Sequence, residues 1–158
     1  MALNFRKLSD KSKIVDLKDY LTNWLIENPE DKILISCDSQ NRGPETKYAR
    51  VIVLRKEGKG GHVLYERKSF PRKLYGKASG KDFEKLYKEA ELLNELADYI
   101  IENLGRKPDV IALDYNADPH YFSNKVLLTA IGWLSQKAKS VVGKPNPYAY
   151  VADHAVRS

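Results

Sequence analysis

The spacing of apolar positions changes several times along the chain, and each change predicts an element. From Ser9 or Asp10, either of which suits a helix N-cap, Ile14, Leu17, Leu21, Trp24 and Leu25 recur at helical spacing until Pro29 stops them. Three strand-like runs follow, at residues 33–37, 48–54 and 62–68, with "NRGPETK" and "KEGKGG" between them. Such short, turn-rich links predict an antiparallel meander. A basic connection leads into a long helix over 82–104, ended by Gly105 and Pro108. "DVIALD" (109–114) reads as a strand, Asp118-Pro119 as the start of a helix reaching about Lys137, and "KSVVG" (139–143) as a short strand. Asn146 and Pro147 then open a last helix over 148–157. The predicted order is α, βββ, α, β, α, β, α. It describes an α/β protein with a mixed five-stranded sheet, three antiparallel strands followed by two βα units, flanked by helices. Residues 1–30 form an extra N-terminal helical extension packed on it.

Length and composition narrow this picture. A chain of 158 residues, 42% of them hydrophobic, buries one good core, so residues 1–158 are expected to form a single domain. The first twenty residues hold no apolar run like the core of a signal peptide, and no stretch approaches the ~20 apolar residues that span a bilayer. A cytoplasmic protein with no membrane partner is expected. The single cysteine, Cys37, makes no internal disulfide and reads as a buried, inert thiol.

Two carboxylates stand where an apolar strand gives out: Asp38 after "KILISC" and Asp114 after "DVIAL". If the first and fourth predicted strands are parallel neighbours, these acids share one edge of the sheet, and like charges held together call for a cation. On the long helix, Leu86, Ala90, Leu92, Leu93, Leu96, Ala97 and Ile100 form one apolar half, while Glu84, Glu91, Glu95, Asp98 and Glu102 gather on the solvent side. Glu89 falls inside the apolar stripe, so it must be paired, protonated or bound to metal. Asp153, in "AYVADHAV", is a fourth acid among small and apolar residues. His62, His120 and His154 are scattered without ligand spacing, and neither HExxH nor CxxC occurs. His154 is read as a surface histidine or a proton shuttle, and Asp118, before Pro119, as a helix cap or a replacement for one of the acids.

The net charge of +6 favours an anionic partner. It is concentrated between Glu66 and Lys88, where eight cations face three acids and supply five of the six net charges. Arg67, Lys68, Arg72, Lys73 and Lys77, with Phe70 and Tyr75 interleaved, suit a phosphate backbone and unpaired bases. Lys144, just after the last strand, is a further candidate phosphate contact.

The element order from Ile33 onward resembles that of the ribonuclease H fold. "DSQ" at 38–40, "YKEAELL" at 87–93, "LDYNAD" at 113–118, "SNKVLLTAIGW" at 123–133 and "KPNPYAYVAD" at 144–153 resemble the predicted RNase H-like nucleases of the YkuK type over residues 10–157. The resemblance implies an RNase H-like fold with an Asp-Glu-Asp-Asp set binding two Mg2+ or Mn2+ ions. The matching positions are Asp38, Glu89, Asp114 and Asp153, with Asp38 as the bridging ligand, Glu89 and Asp114 on one metal and Asp153 on the other. The activity expected is metal-dependent hydrolysis of RNA, RNA·DNA hybrid or single-stranded DNA. The alternative is a catalytically silent module that binds nucleic acid or a protein. Gln40 stands where Asp-Glu-Asp-Asp exonucleases and haloacid-dehalogenase-like phosphatases carry a second acid, which argues against both.

Overall fold

The three longest strands form a pair of hairpins whose register carries the rest of the molecule. In a computed structural model that describes residues 3–56, 58–71, 78–116 and 123–144, they are β2 (Lys32–Arg42), β3 (Glu45–Arg55) and β4 (Gly61–Pro71). Both hairpins are antiparallel, with Ile35 opposite Ile52 and Val51 opposite Tyr65. The strands are longer than the apolar runs predict, because most of "NRGPETK" continues the ladder and only Gly43-Pro44 turns. Gly43 has φ +56°, a left-handed conformation that glycine adopts without steric penalty.

The preceding segment departs from expectation. Residues Arg6–Lys7 form a short strand, β1, which pairs antiparallel with β4 through Arg6 opposite Tyr65 and Lys7 opposite Leu64. The helix begins later than the apolar spacing suggests: α1 spans Leu17–Glu27 and is capped by Asp16, whose Oδ1 accepts from the Asp19 N–H at 3.1 Å. Asp10 instead accepts from the Ser12 N–H at 2.9 Å and holds the turn that returns the chain to Arg6. Ile14 is buried, but as part of this turn rather than of the helix. Among the described residues the sheet therefore has six strands where the sequence predicts five.

Beyond β4, α2 (Ala78–Leu104) crosses to β5 (Val110–Asn116), and α3 (Ser123–Leu134) to β6 (Ser140–Lys144). The strand order is β1-β4-β3-β2-β5-β6, with β5 parallel to β2 and β6 parallel to β5. Gly105, at φ +67°, donates its N–H to Ile101 O and closes α2. The predicted helix over 148–157 lies outside the described residues.

The larger core joins one sheet face to the helices: Ile33, Ile35, Cys37, Ile52, Leu54, Leu64, Ile111 and Leu113 meet Leu17, Leu21, Leu93, Leu96 and Ile100. Leu34, Ala49, Val51, Val53 and Tyr65 form a second buried cluster on the other face. Two charged clamps align these parts. Asp109, just before β5, accepts the Ile33 N–H at 2.8 Å and pairs with Arg106 and Lys139. Arg50, 1% exposed in the middle of β3, binds Glu66 on β4 and donates to Leu92 O at 3.2 Å and Glu95 Oε1 at 2.9 Å on α2. Glu95, read from the helical wheel as solvent-facing, keeps 38% of its side chain exposed and still reaches Arg50 across the helix–sheet contact.

Candidate active site

Asp38 does not end its strand. β2 continues past it for four residues, paired with β3, whereas the parallel pairing to β5 runs from Leu34–Val110 to Cys37–Leu113. Asp38 and Asp114 are the next residue on each strand. Their backbone positions are therefore adjacent where the two parallel strands part, as the expected topology requires.

Asp38 is 8% exposed and accepts the Ser39 N–H at Oδ1, 2.8 Å away. Glu89 is 2% exposed on α2, among Ala90, Leu92 and Leu93, and its Oε1 accepts from the Ser39 hydroxyl at 2.9 Å. The helical wheel is thus correct in turning Glu89 into the protein. Strand alternation explains how one serine reaches both acids. Ser39 lies in the row of Tyr48, facing the helices, while Asp38 lies in the row of Ala49 and, one strand further, Arg67.

Both carboxylates act on the neighbouring Cys37. Burial pushes the Cys37 thiol well above its usual range, and the Glu89 and Asp38 carboxylates push it the same way against the opposing pull of Arg50. With its sulfur buried and its thiol protonated, Cys37 is packing material rather than a nucleophile, as expected.

The cations divide into two groups. Arg67 is exposed, stands 5.1 Å over the Tyr65 ring, and shares the Asp38 row with only the small Ala49 between, so two strand spacings of ~4.8 Å separate the two residues' backbones. Lys68 lies 3.9 Å from Glu95, and Lys88 lies 4.4 Å over Phe70. Phe70 is partly buried and packs edge-on against Tyr48 at 5.8 Å. Arg72, Lys73, Tyr75, Lys77, Asp118, His120, Asp153 and His154 lie outside the described residues, and Lys144 is placed by its backbone at the end of β6. His62 has a local role: Tyr20 Oη is 2.6 Å from its Nε2, and Trp24 stacks on it at 4.2 Å. Among the described residues no three His, Cys, Asp or Glu side chains gather to hold a metal ion, and no helix is long and apolar enough to cross a membrane.

Ser39 escapes a search for acids and bases. The signal for it is a polar residue continuing the alternation Ile33, Ile35, Cys37 on the core-facing side.

With this topology, the family profile described as Ribonuclease H-like matches residues 16–156, and the chain belongs to that family. No curated protein matches it. Among solved structures, RNase H1 from the halophilic archaeon Halobacterium salinarum NRC-1 is 17% identical, with a TM-score of 0.39, over 78% of this chain and 92% of that one. LC11-RNase H1 in complex with an RNA/DNA hybrid is 14% identical, with a TM-score of 0.38 and the same coverage. Ciona intestinalis endonuclease V, in complex with a 24mer DNA containing an inosine followed by a ribo-adenosine, is 13% identical, with a TM-score of 0.41, over 80% of this chain and 58% of that one.

Proposed function

We propose that this protein is a nuclease that hydrolyses phosphodiester bonds of RNA, RNA·DNA hybrid or single-stranded DNA, using two Mg2+ or Mn2+ ions held by Asp38, Glu89, Asp114 and Asp153. The observation that carries the reading is the linkage of two buried acids, Asp38 and Glu89, through Ser39, beside the backbone position of Asp114. The donor chemistry fits such ions: carboxylate oxygens are hard ligands suited to Mg2+ and Mn2+, and the buried thiol of Cys37 offers no competing soft site. When bound, a pair of such ions activates water and stabilises the leaving oxygen of an in-line displacement.

The chain's own residues supply the setting. Packing on α2 and the Ser39 hydroxyl hold Glu89 in place, and the Arg50 clamp fixes the helix one turn further along. Arg67, exposed in the Asp38 row, offers a bidentate phosphate contact on the same face. Arg72, Lys73, Tyr75, Lys77 and Lys144 extend that role in this reading.

The test is cleavage of labelled RNA, RNA·DNA hybrid and single-stranded DNA in Mg2+, Mn2+ and EDTA, comparing wild type with Asp38→Asn and Glu89→Gln. Metal-dependent cleavage lost in both variants supports the nuclease. Binding of these nucleic acids without cleavage under any condition would make the protein the silent module instead.

A further inference from the structure

We infer that Ser39 is a positioning residue of this site, orienting Glu89 for a divalent cation while its backbone holds Asp38; the inference rests on the reading of Asp38 and Glu89 as metal ligands. Three observations converge on it. Ser39 is itself 8% exposed, so its hydroxyl lies where solvent competes little for the hydrogen bond. The hydroxyl donates to Glu89 Oε1 at 2.9 Å, and its own N–H donates to Asp38 Oδ1 at 2.8 Å. Finally, Ser39 continues the core-facing row of Ile33, Ile35 and Cys37, where an apolar residue would be the ordinary occupant.

The chemistry assigns the two bonds different work. A backbone N–H is present whatever side chain occupies the position, so the contact to Asp38 belongs to the strand. The hydroxyl contact belongs to serine alone. A carboxylate that accepts a fixed donor at one oxygen keeps a defined rotamer, and its remaining lone pairs keep a defined direction. Donors that orient ligating side chains in this way typically contribute about 10- to 100-fold in metal affinity or activity. Tyr48, the cross-strand neighbour of Ser39, packs edge-on against Phe70.

Isothermal titration of Mn2+ into the full chain, after dialysis against EDTA and then metal-free buffer, tests this without reference to cleavage. Ser39→Ala is expected to weaken Mn2+ binding by about 10- to 100-fold, and Ser39→Thr, which keeps the hydroxyl, to recover most of the loss. Thermal melts in EDTA report whether each variant folds. If the alanine variant does not, Ser39→Cys carries the comparison, since it nearly keeps the volume but is a weak donor. Wild-type affinity in the folded alanine or cysteine variant overturns the inference alone, as does a loss that threonine leaves unrepaired, because volume rather than the hydroxyl is then at stake. A wild-type chain that binds no Mn2+ removes the metal-site reading beneath it.

Discussion

Replacing Arg50 with methionine keeps an unbranched chain of similar reach and removes the guanidinium that ties β3 to β4 and α2. Arg50 and Glu66 are each 1% exposed, and the guanidinium meets Glu66 Oε1 through both Nε and Nη2. Deleting one partner of a buried pair leaves the other charge without compensation, which costs about 3–5 kcal/mol. Glu95 is 38% exposed, so its pair with Arg50 adds little. The Asn4 N–H still donates to Glu66, which places the expected loss in the lower half of that range. For a chain of 158 residues, each kcal/mol moves the midpoint by about 2–4 °C, so Arg50→Met is expected to melt roughly 6–16 °C below wild type. Urea unfolding monitored by far-UV circular dichroism measures the same loss at constant temperature. Adding Glu66→Gln to the methionine variant removes the stranded charge, and the double variant is expected to regain part of the loss, a coupling read from the four-protein cycle. The clamp also grips Leu92 O, three residues from Glu89, so cleavage is expected to fall as well. A methionine variant within about 1 kcal/mol of wild type refutes the reasoning, because no buried charge would then have been stranded.

Asp38→Asn is expected to abolish metal-dependent cleavage while melting no lower than wild type in EDTA, since it removes a negative charge beside other acids, and to lose the Mn2+-induced rise in midpoint. Parallel melts with and without Mn2+ check this; a large drop in EDTA together with a wild type indifferent to Mn2+ would mark Asp38 as a structural ion-pair partner. Replacing Arg72, Lys73 and Lys77 by alanine is expected to weaken nucleic-acid binding across sequences and to lower the log-log salt slope by about 0.7–0.9 per lost phosphate contact; unchanged affinity and slope in fluorescence anisotropy would make the segment a solvated loop. Partial burial, then the nearby Lys7, lowers the pKa of His62 from its usual 6.5. The unfolded chain therefore binds the extra proton first, and this contribution to stability is complete above pH 6.5 and fades as pH falls through the lowered value. Melts between pH 8 and 5 on wild type and His62→Phe are expected to show a steeper acid-side loss in wild type, and Trp24 fluorescence follows the same step; parallel curves would contradict it.

The periodicity of apolar positions was enough to place every described helix and every long strand, because burial of one face imposes a repeat that local residues must satisfy. It also turned Glu89 inward, since a wheel needs only the helix's own sequence. The acids at residues 38 and 114 were legible as exceptions to an apolar run, and the parallel pairing of β2 and β5 brings their backbones together. What the local pattern missed depends on neighbours distant in sequence. Arg6–Lys7 is too short to show a period and becomes a strand only because β4 offers an edge to pair with. Asp38 sits inside β2 rather than at its end because β3 continues the ladder through polar residues whose partners lie across a hairpin. Glu95 looks solvated on its own helix and acquires Arg50 only when α2 docks on β3. Ser39 reaches two acids because strand alternation points its hydroxyl toward α2 while its N–H stays beside Asp38. Apolar periodicity is a property of one segment, whereas hydrogen bonds between segments 50 residues apart exist only once packing has set the register.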